Sequence, residues 1–229
     1  MTTKVLNVWW DSRDVGQLTQ DRHGDIAFQY ADSWLGDQVT PPLSASLPKR
    51  PEQFSRRECR PFFGGLLPEE SQRLVAAQAL GVSPGNDFAL LDRLGGDVAG
   101  ALQLLPEGEL PADVTVNAGA QSTPLDDAGI VRILDALPNR PLLAGEEGLR
   151  LSLAGAQSKV PVVVIDGRIA LPLPGQPTTH ILKPPIARFK GTTENEAFVM
   201  SLAAAIGLDV APRRGKNCGG PSIPPARAI

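Results

Sequence analysis

The chain has 229 residues, 42% hydrophobic and 21% charged, the balance of one large globular domain or two small ones and not of a disordered segment. A net charge of −3 and a pI near 5.5 argue against an autonomous nucleic-acid binder, which carries a basic face. No apolar run approaches the roughly 20 residues of a membrane span, and the N-terminus lacks the basic-then-apolar form of a secretory signal.

Cys59 and Cys218 lie far apart and outside any CxxC pattern, which fits a reducing cytoplasm with neither a disulfide framework nor a zinc site. Residues 4–30 read as a small antiparallel meander. Val5–Trp10 is rich in β-formers, Asp11–Asp14 supplies a turn, and Val15–Thr19 and Ile26–Tyr30 follow around a second turn at Asp21–Asp25. Trp9, Trp10, Phe28 and Tyr30 either stack bases or fill one face of this sheet. No lysine or arginine alternates with them, which favours packing. His23 reads as a solvated turn residue.

Pro41–Pro51 is punctuated by prolines, which cannot donate to a ladder, and reads as an edge segment or a surface crossing. Phe62–Pro68 then leads into a helix with Pro68 at its first position, Glu69 and Glu70 at the positive end of its dipole, and Gly81 as its stop. Asn86 or Asp87 caps a shorter helix with Phe88, Leu91 and Leu94 on one face, ended by Gly95-Gly96. Val98–Leu105 reads as a strand. Gly95, Gly96 and Gly100 have the wrong spacing for a dinucleotide fingerprint and read as a turn.

Pro106–Ser122 is small, polar and linker-like. Thr123 is a candidate cap for a helix with Pro124 at its first position, Asp126 and Asp127 in its first turn, and Ile130, Leu134 and Leu137 on its buried side. Gly145–Gly148 reads as a loop. Strands follow at Leu149–Leu153, Val160–Ile165, Arg168–Leu173 and His180–Lys183, with Asp166-Gly167 as a hairpin turn. A helix after Gly191 carries a Thr193-x-x-Glu196 capping box, places Phe198, Leu202 and Ile206 on one face, and ends at Gly207.

Between the first two of these strands, Ala154-Gly155-Ala156-Gln157-Ser158-Lys159 has the small residues that let backbone N–H groups approach an anion, and a lysine behind them. It matches neither G-x-x-x-x-G-K-[ST] nor G-x-G-x-x-G, so spacing alone favours an ordinary hairpin turn. Lys183 ends a strand further on, and His180 flanks it without metal-ligand spacing. Strand, small-residue loop, strand, lysine strand and a helix that offers a glutamate are the parts of a kinase N-lobe.

Three stretches together carry a resemblance: Ser152–Lys159, Pro177–Pro184, and Glu194-Asn195-Glu196 with Ala205–Val210. With Val15–Thr19, Pro42–Pro48, Phe62–Pro68 and Asp97–Ala101 in the same order, the chain resembles HipA-type serine/threonine kinases, toxins of bacterial type II toxin–antitoxin pairs, from about Lys4 to about Pro212. The resemblance implies ATP and Mg²⁺ as cofactors, with nucleotide phosphates at Ala154, Gly155, Ala156, Gln157, Ser158, Lys159 and Lys183, and Ser152 as an autophosphorylated serine. Glu196 is either the capping residue or the partner of Lys183. The implied partners are a helix-turn-helix antitoxin of the HipB type and an aminoacyl-tRNA synthetase substrate, in the cytoplasm, with no direct nucleic-acid or membrane contact.

The expected fold class is α+β: a β-meander and helix subdomain (1–105), a linker (106–122), a kinase-like N-lobe of antiparallel strands with one helix (123–211), and an irregular tail (212–229). The tail is rich in proline and glycine and reads as disordered, and no residue is assigned to the catalytic lobe that the family carries further on. The chain is therefore expected to be a truncated, inactive kinase, a non-catalytic module that restrains a HipA-type kinase in trans, or a half-lobe that is degraded.

Overall fold

The computed structural model describes residues 3–98, 102–111, 122–145, 149–173, 176, 178–186 and 188–211. The α+β expectation holds. Strands β1 (Lys4–Trp10), β2 (Arg13–Gln20) and β3 (Ile26–Tyr30) form the antiparallel meander. The first turn is shorter than predicted: Asp11 and Ser12 both take positive φ, 47° and 63°, as a two-residue hairpin requires, so Arg13 and Asp14 belong to β2. Gly16 is fixed by contact, because a Cβ there would lie 2.1 Å from the Gln29 carbonyl oxygen across the ladder.

Leu6, Val8, Leu18, Phe28 and Tyr30 point into the core, and Phe28 sits at its hub, 4.9 Å from the Tyr30 ring and 5.2 Å from that of Phe63. Trp10 packs against the same core and stacks on Trp34 at 6.0 Å. The four aromatics do not share one face as expected. Trp9 precedes Trp10 in one strand, and adjacent strand residues alternate sides. Pro41–Pro51 is a surface crossing that drops Leu47 into the core, where its carbonyl accepts the Tyr30 hydroxyl at 2.6 Å.

A short helix, α1 (Asp32–Gly36), and a longer one, α2 (Arg56–Gly65), were not predicted. Glu58 reaches back from the first turn of α2 to the N–H and hydroxyl of Ser55, at 2.8 and 2.7 Å, and Cys59 and Phe63 are buried beneath. Helix α3 (Glu70–Leu80) starts later than expected, with Glu69 at its cap and Pro68 outside it, and stops at Gly81 with φ of 67°. Helix α4 (Asp87–Leu94) is capped by the Asn86 side chain, and Phe88, Leu91 and Leu94 are buried as predicted.

The strand expected at Val98–Leu105 is two strands, β4 (Asp97–Val98) and β5 (Leu102–Pro106), which face each other through Val98 and Leu102. Gly100, placed in a turn by the sequence, lies outside the described residues. So do most of the linker, residues 146–148 of the Gly145–Gly148 loop and the tail from residue 212. Helix α5 (Asp127–Ala136) is capped by Asp126, which accepts from Gly129 at 2.6 Å, and not by Thr123; Pro124 instead bridges to Ala170.

The largest correction concerns Leu149–Leu153. Only β6 (Leu151–Ser152) is strand, and it runs parallel to β4. It thereby completes a six-stranded sheet in the order β3-β2-β1-β5-β4-β6. The second sheet holds β7 (Val160–Ile165) between β8 (Arg168–Ala170) and β9 (His180–Leu182), with Asp166 and Gly167 at φ of 50° and 76° in the expected turn. Helix α6 (Thr192–Ala205) begins after Gly191 without the Thr193 cap, and buries no residue. Its predicted apolar face is open: Phe198 and Ile206 are 66% and 69% exposed. No described helix is long and apolar enough to cross a membrane.

Candidate nucleotide-binding site

The loop from Leu153 to Lys159 leaves one sheet and enters the other, and it is held by the N-terminal subdomain. Ser152 is fully buried at its start, and its hydroxyl donates to the carbonyl of Leu66, the C-cap of α2, at 2.6 Å. Gly155 bridges to Pro68, and its carbonyl accepts the Glu69 N–H at 3.3 Å. The Ser158 hydroxyl lies 3.4 Å from Gln72 Oε1. The end of α2, the connection after it and the first turn of α3 thus hold Ser152 and the loop at three points.

Gly155 has φ of 112°, and a Cβ there would meet Lys159 Nζ at 2.7 Å. The small residue is what lets Lys159 fold back over the loop to donate to the Ala154 carbonyl. Burial pushes the Lys159 pKa below its ordinary value, and the nearby Lys183 ammonium pushes it the same way, while Glu69 opposes both. An anion between the two lysines reverses that penalty.

Lys183 follows β9 directly, and its Nζ sits 2.5 Å from Glu196 Oε1 in the first turns of α6. With side chains 36% and 43% exposed, this pair contributes little to stability, on the order of 0–1 kcal/mol. Its effect is positional, holding the ammonium close enough to the loop to act on Lys159. Gln157 ties the loop to the same segment by donating to the Pro184 carbonyl at 3.4 Å. Thr178, ahead of β9, donates to Asp97 at 3.2 Å, and burial raises the pKa of that carboxyl.

The structure therefore brings Ala154 to Lys159, Lys183 and Glu196 into one neighbourhood; Glu196 pairs with Lys183, and the cap of α6 has no side-chain hydrogen bond. Ser152 adjoins this neighbourhood from within the fold. His180 is exposed beside Thr179, and His23 is exposed in its turn. Among the described residues no three His, Cys, Asp or Glu side chains converge as a metal site. Leu66, Pro68, Glu69 and Gln72 escaped the sequence reading, because they act largely through backbone atoms more than 80 residues from the loop, as the separation of 86 between Ser152 and Leu66 illustrates.

A lysine–glutamate pair beside a small-residue loop is the arrangement of a kinase-like nucleotide site. A family model described as the HipA N-terminal domain matches residues 6–105, and one described as the HipA-like C-terminal domain matches residues 151–220. Across these residues the chain belongs to the HipA family. It is 77% identical over 220 residues to "Putative kinase Y4mE" of Sinorhizobium fredii, an alignment covering 96% of this chain and 52% of that protein. It is 29% identical over 213 residues to the "Serine/threonine-protein kinase toxin HipA" of Shewanella oneidensis, covering 92% of this chain and 47% of that one.

Among solved structures, the complex of Shewanella oneidensis HipA with HipB and its operator DNA matches with a TM-score of 0.73 at 27% identity, over 93% of this chain and 48% of the other. The chain spans about half the length of the curated relatives it matches.

Proposed function

We propose that the chain is the nucleotide-binding half of a HipA-type serine/threonine kinase, with Ala154–Lys159 and Lys183 holding the phosphates of Mg²⁺-bound ATP. The observation that carries this reading is the Lys183–Glu196 pair at 2.5 Å. In protein kinases a strand lysine held by a helix glutamate contacts the nucleotide phosphates, and the pair must be in place for activity. Two lysines share one neighbourhood, and Gly155 leaves the room in which Lys159 folds over the loop, which suits an anionic ligand.

Phosphorylation of Ser152 fits the same scheme as an off-switch. A phosphoryl group brings about 1.5–2 negative charges, and it cannot occupy the place of a fully buried hydroxyl 2.6 Å from a carbonyl. The modified loop must leave its dock on Leu66. By the family resemblance, the assembled kinase acts on an aminoacyl-tRNA synthetase in the cytoplasm and is held by a HipB-type antitoxin. The chain alone holds nucleotide without transferring phosphate, because transfer needs carboxylates for the metal and for the hydroxyl proton and no residue here is assigned to either role.

The grip of Leu66, Pro68, Glu69 and Gln72 on the loop favours a second reading. A module with this subdomain restrains a related kinase by holding its phosphate loop. Calorimetric titration with Mg²⁺-ATP tests the first reading: Lys183→Ala is expected to weaken binding at least about tenfold, and unchanged binding would remove the site. Label transferred from γ-labelled ATP to Ser152 by the chain alone would overturn its proposed inactivity. Relief of growth arrest when the chain is co-expressed with a full-length relative would favour the second reading.

A further inference from the structure

A second concentration of charge lies along α2. An open groove of about 680 Å³ is lined by Arg56, Arg57, Arg60, Arg73, Asp25 and Asp87, so four guanidinium groups face two carboxylates in a chain of net charge −3. Arg56 pairs with Asp25 at 3.0 Å, and Arg60 with Asp87 at 2.7 Å. Arg73 shares Asp87, which is only 4% exposed, and also donates to the Pro84 carbonyl at 2.7 Å. Arg57 is exposed and has no hydrogen-bond or ion-pair partner among the described residues.

The placement of these arginines conflicts with the helix that carries them. Arg56 and Arg57 are the first two residues of α2, where the aligned peptide dipoles already present positive charge and cations are disfavoured. Glu58, the acid of that turn, is committed to Ser55 and Arg50. Such a local conflict is a mark of a functional site. An anion seated beside the first turn would turn both unfavourable interactions into attractive ones.

We propose that this groove binds a phosphate monoester. Arg56 and Arg60, one turn apart on the same face, supply planar forks that match phosphate oxygens, and Arg57 adds a charge that no carboxylate among the described residues neutralises. Arg73 and buried Asp87 fix Arg60 from behind. The two carboxylates interrupt the lining, so it suits one phosphate group and not the continuous track that a nucleic-acid duplex requires. The proposal is independent of the nucleotide reading at Lys183.

Calorimetric titration of the full chain at constant ionic strength, with inorganic phosphate and separately with AMP, tests it. Saturable binding is expected, weakened at least about tenfold in Arg56→Ala/Arg57→Ala. The double variant should melt at the wild-type temperature, and Arg56→Lys/Arg57→Lys should bind with intermediate affinity, since it keeps charge without the fork. Equal affinity for both ligands would assign the phosphate group itself, and tighter AMP binding a nucleotide source. No saturation by about 10 mM of either ligand, or equal binding by the double alanine variant, would overturn the site. Tighter binding of an oligonucleotide duplex that depends on the same arginines would replace it with a nucleic-acid surface.

Discussion

The two sheets of this chain meet at one loop but are supported very differently. The six-stranded sheet closes with α2, α3 and α4 over a continuous core in which Leu6, Phe28, Phe63, Leu91 and Leu104 are fully buried. The three-stranded sheet packs Val160 and Val162 against Leu137, Leu142, Leu143 and Leu151, and beyond it α6 turns Phe198, Val199, Leu202 and Ile206 to solvent. The loop that carries Ala154–Lys159 is docked on the well-packed side, while Lys183 and Glu196 belong to the thinly packed side. One wall of the candidate site is docked on a buried core, and the other is positioned by an ion pair and a few hydrogen bonds.

Breaking the packed side should have the largest effect. Phe28→Ala is expected to cost about 3–5 kcal/mol in chemical denaturation, as loss of a buried ring does. A cost near that of a surface substitution would show that this core is not the stabilising one. Ser152→Ala probes the junction: loss of its bond to Leu66 is expected to cost about 1–2 kcal/mol and to speed amide exchange in residues 153–159.

A pH series sharpens the same contrast from the cap of α2. Hydrogen bonds from Ser55, then Arg50, lower the Glu58 pKa from an ordinary 4.5 to about 2. The folded state therefore favours the ionised carboxylate. Its stabilising contribution is complete above pH 4.5 and is lost as pH falls through about 2. Glu58→Gln should flatten the acid limb of melting temperature against pH. The smallest effect belongs to the open face: Leu202→Ser, at a residue 52% exposed, is expected to change stability by less than about 0.5 kcal/mol in the same denaturation assay.

What was legible in the sequence was mostly local. A cap at Asn86 or Asp87, Gly81 as a stop and Asp166-Gly167 as a turn each need only their neighbours; the structure selects Asn86 and keeps the other two. Helix α2 was missed although Ser55 and Glu58 carry its signature, because Pro61 in its middle interrupts a helical reading. Strand β6 joins the N-terminal sheet and not the hairpin strands that follow it in the chain. Its parallel pairing with β4 is non-local, and nothing in Leu151 or Ser152 names the partner. The apolar spacing of α6 was read correctly, but spacing does not state what covers a face.

At the candidate site, the family resemblance points to the loop and Lys183, and the geometry adds the pair between Lys183 and Glu196. The dock on Leu66, Pro68 and Glu69 was not legible, since Leu66 and Glu69 act there through a carbonyl and an N–H that every residue type possesses.

The most direct test of the central claim is hydrogen–deuterium exchange of the full chain with and without Mg²⁺-ATP, read on peptides covering residues 153–160 and 180–197. Nucleotide is expected to slow exchange in both segments of the wild-type chain and in neither segment of Lys183→Ala. Saturating nucleotide that protects neither segment, or that protects them equally in the variant, would contradict a nucleotide site built where the two sheets meet.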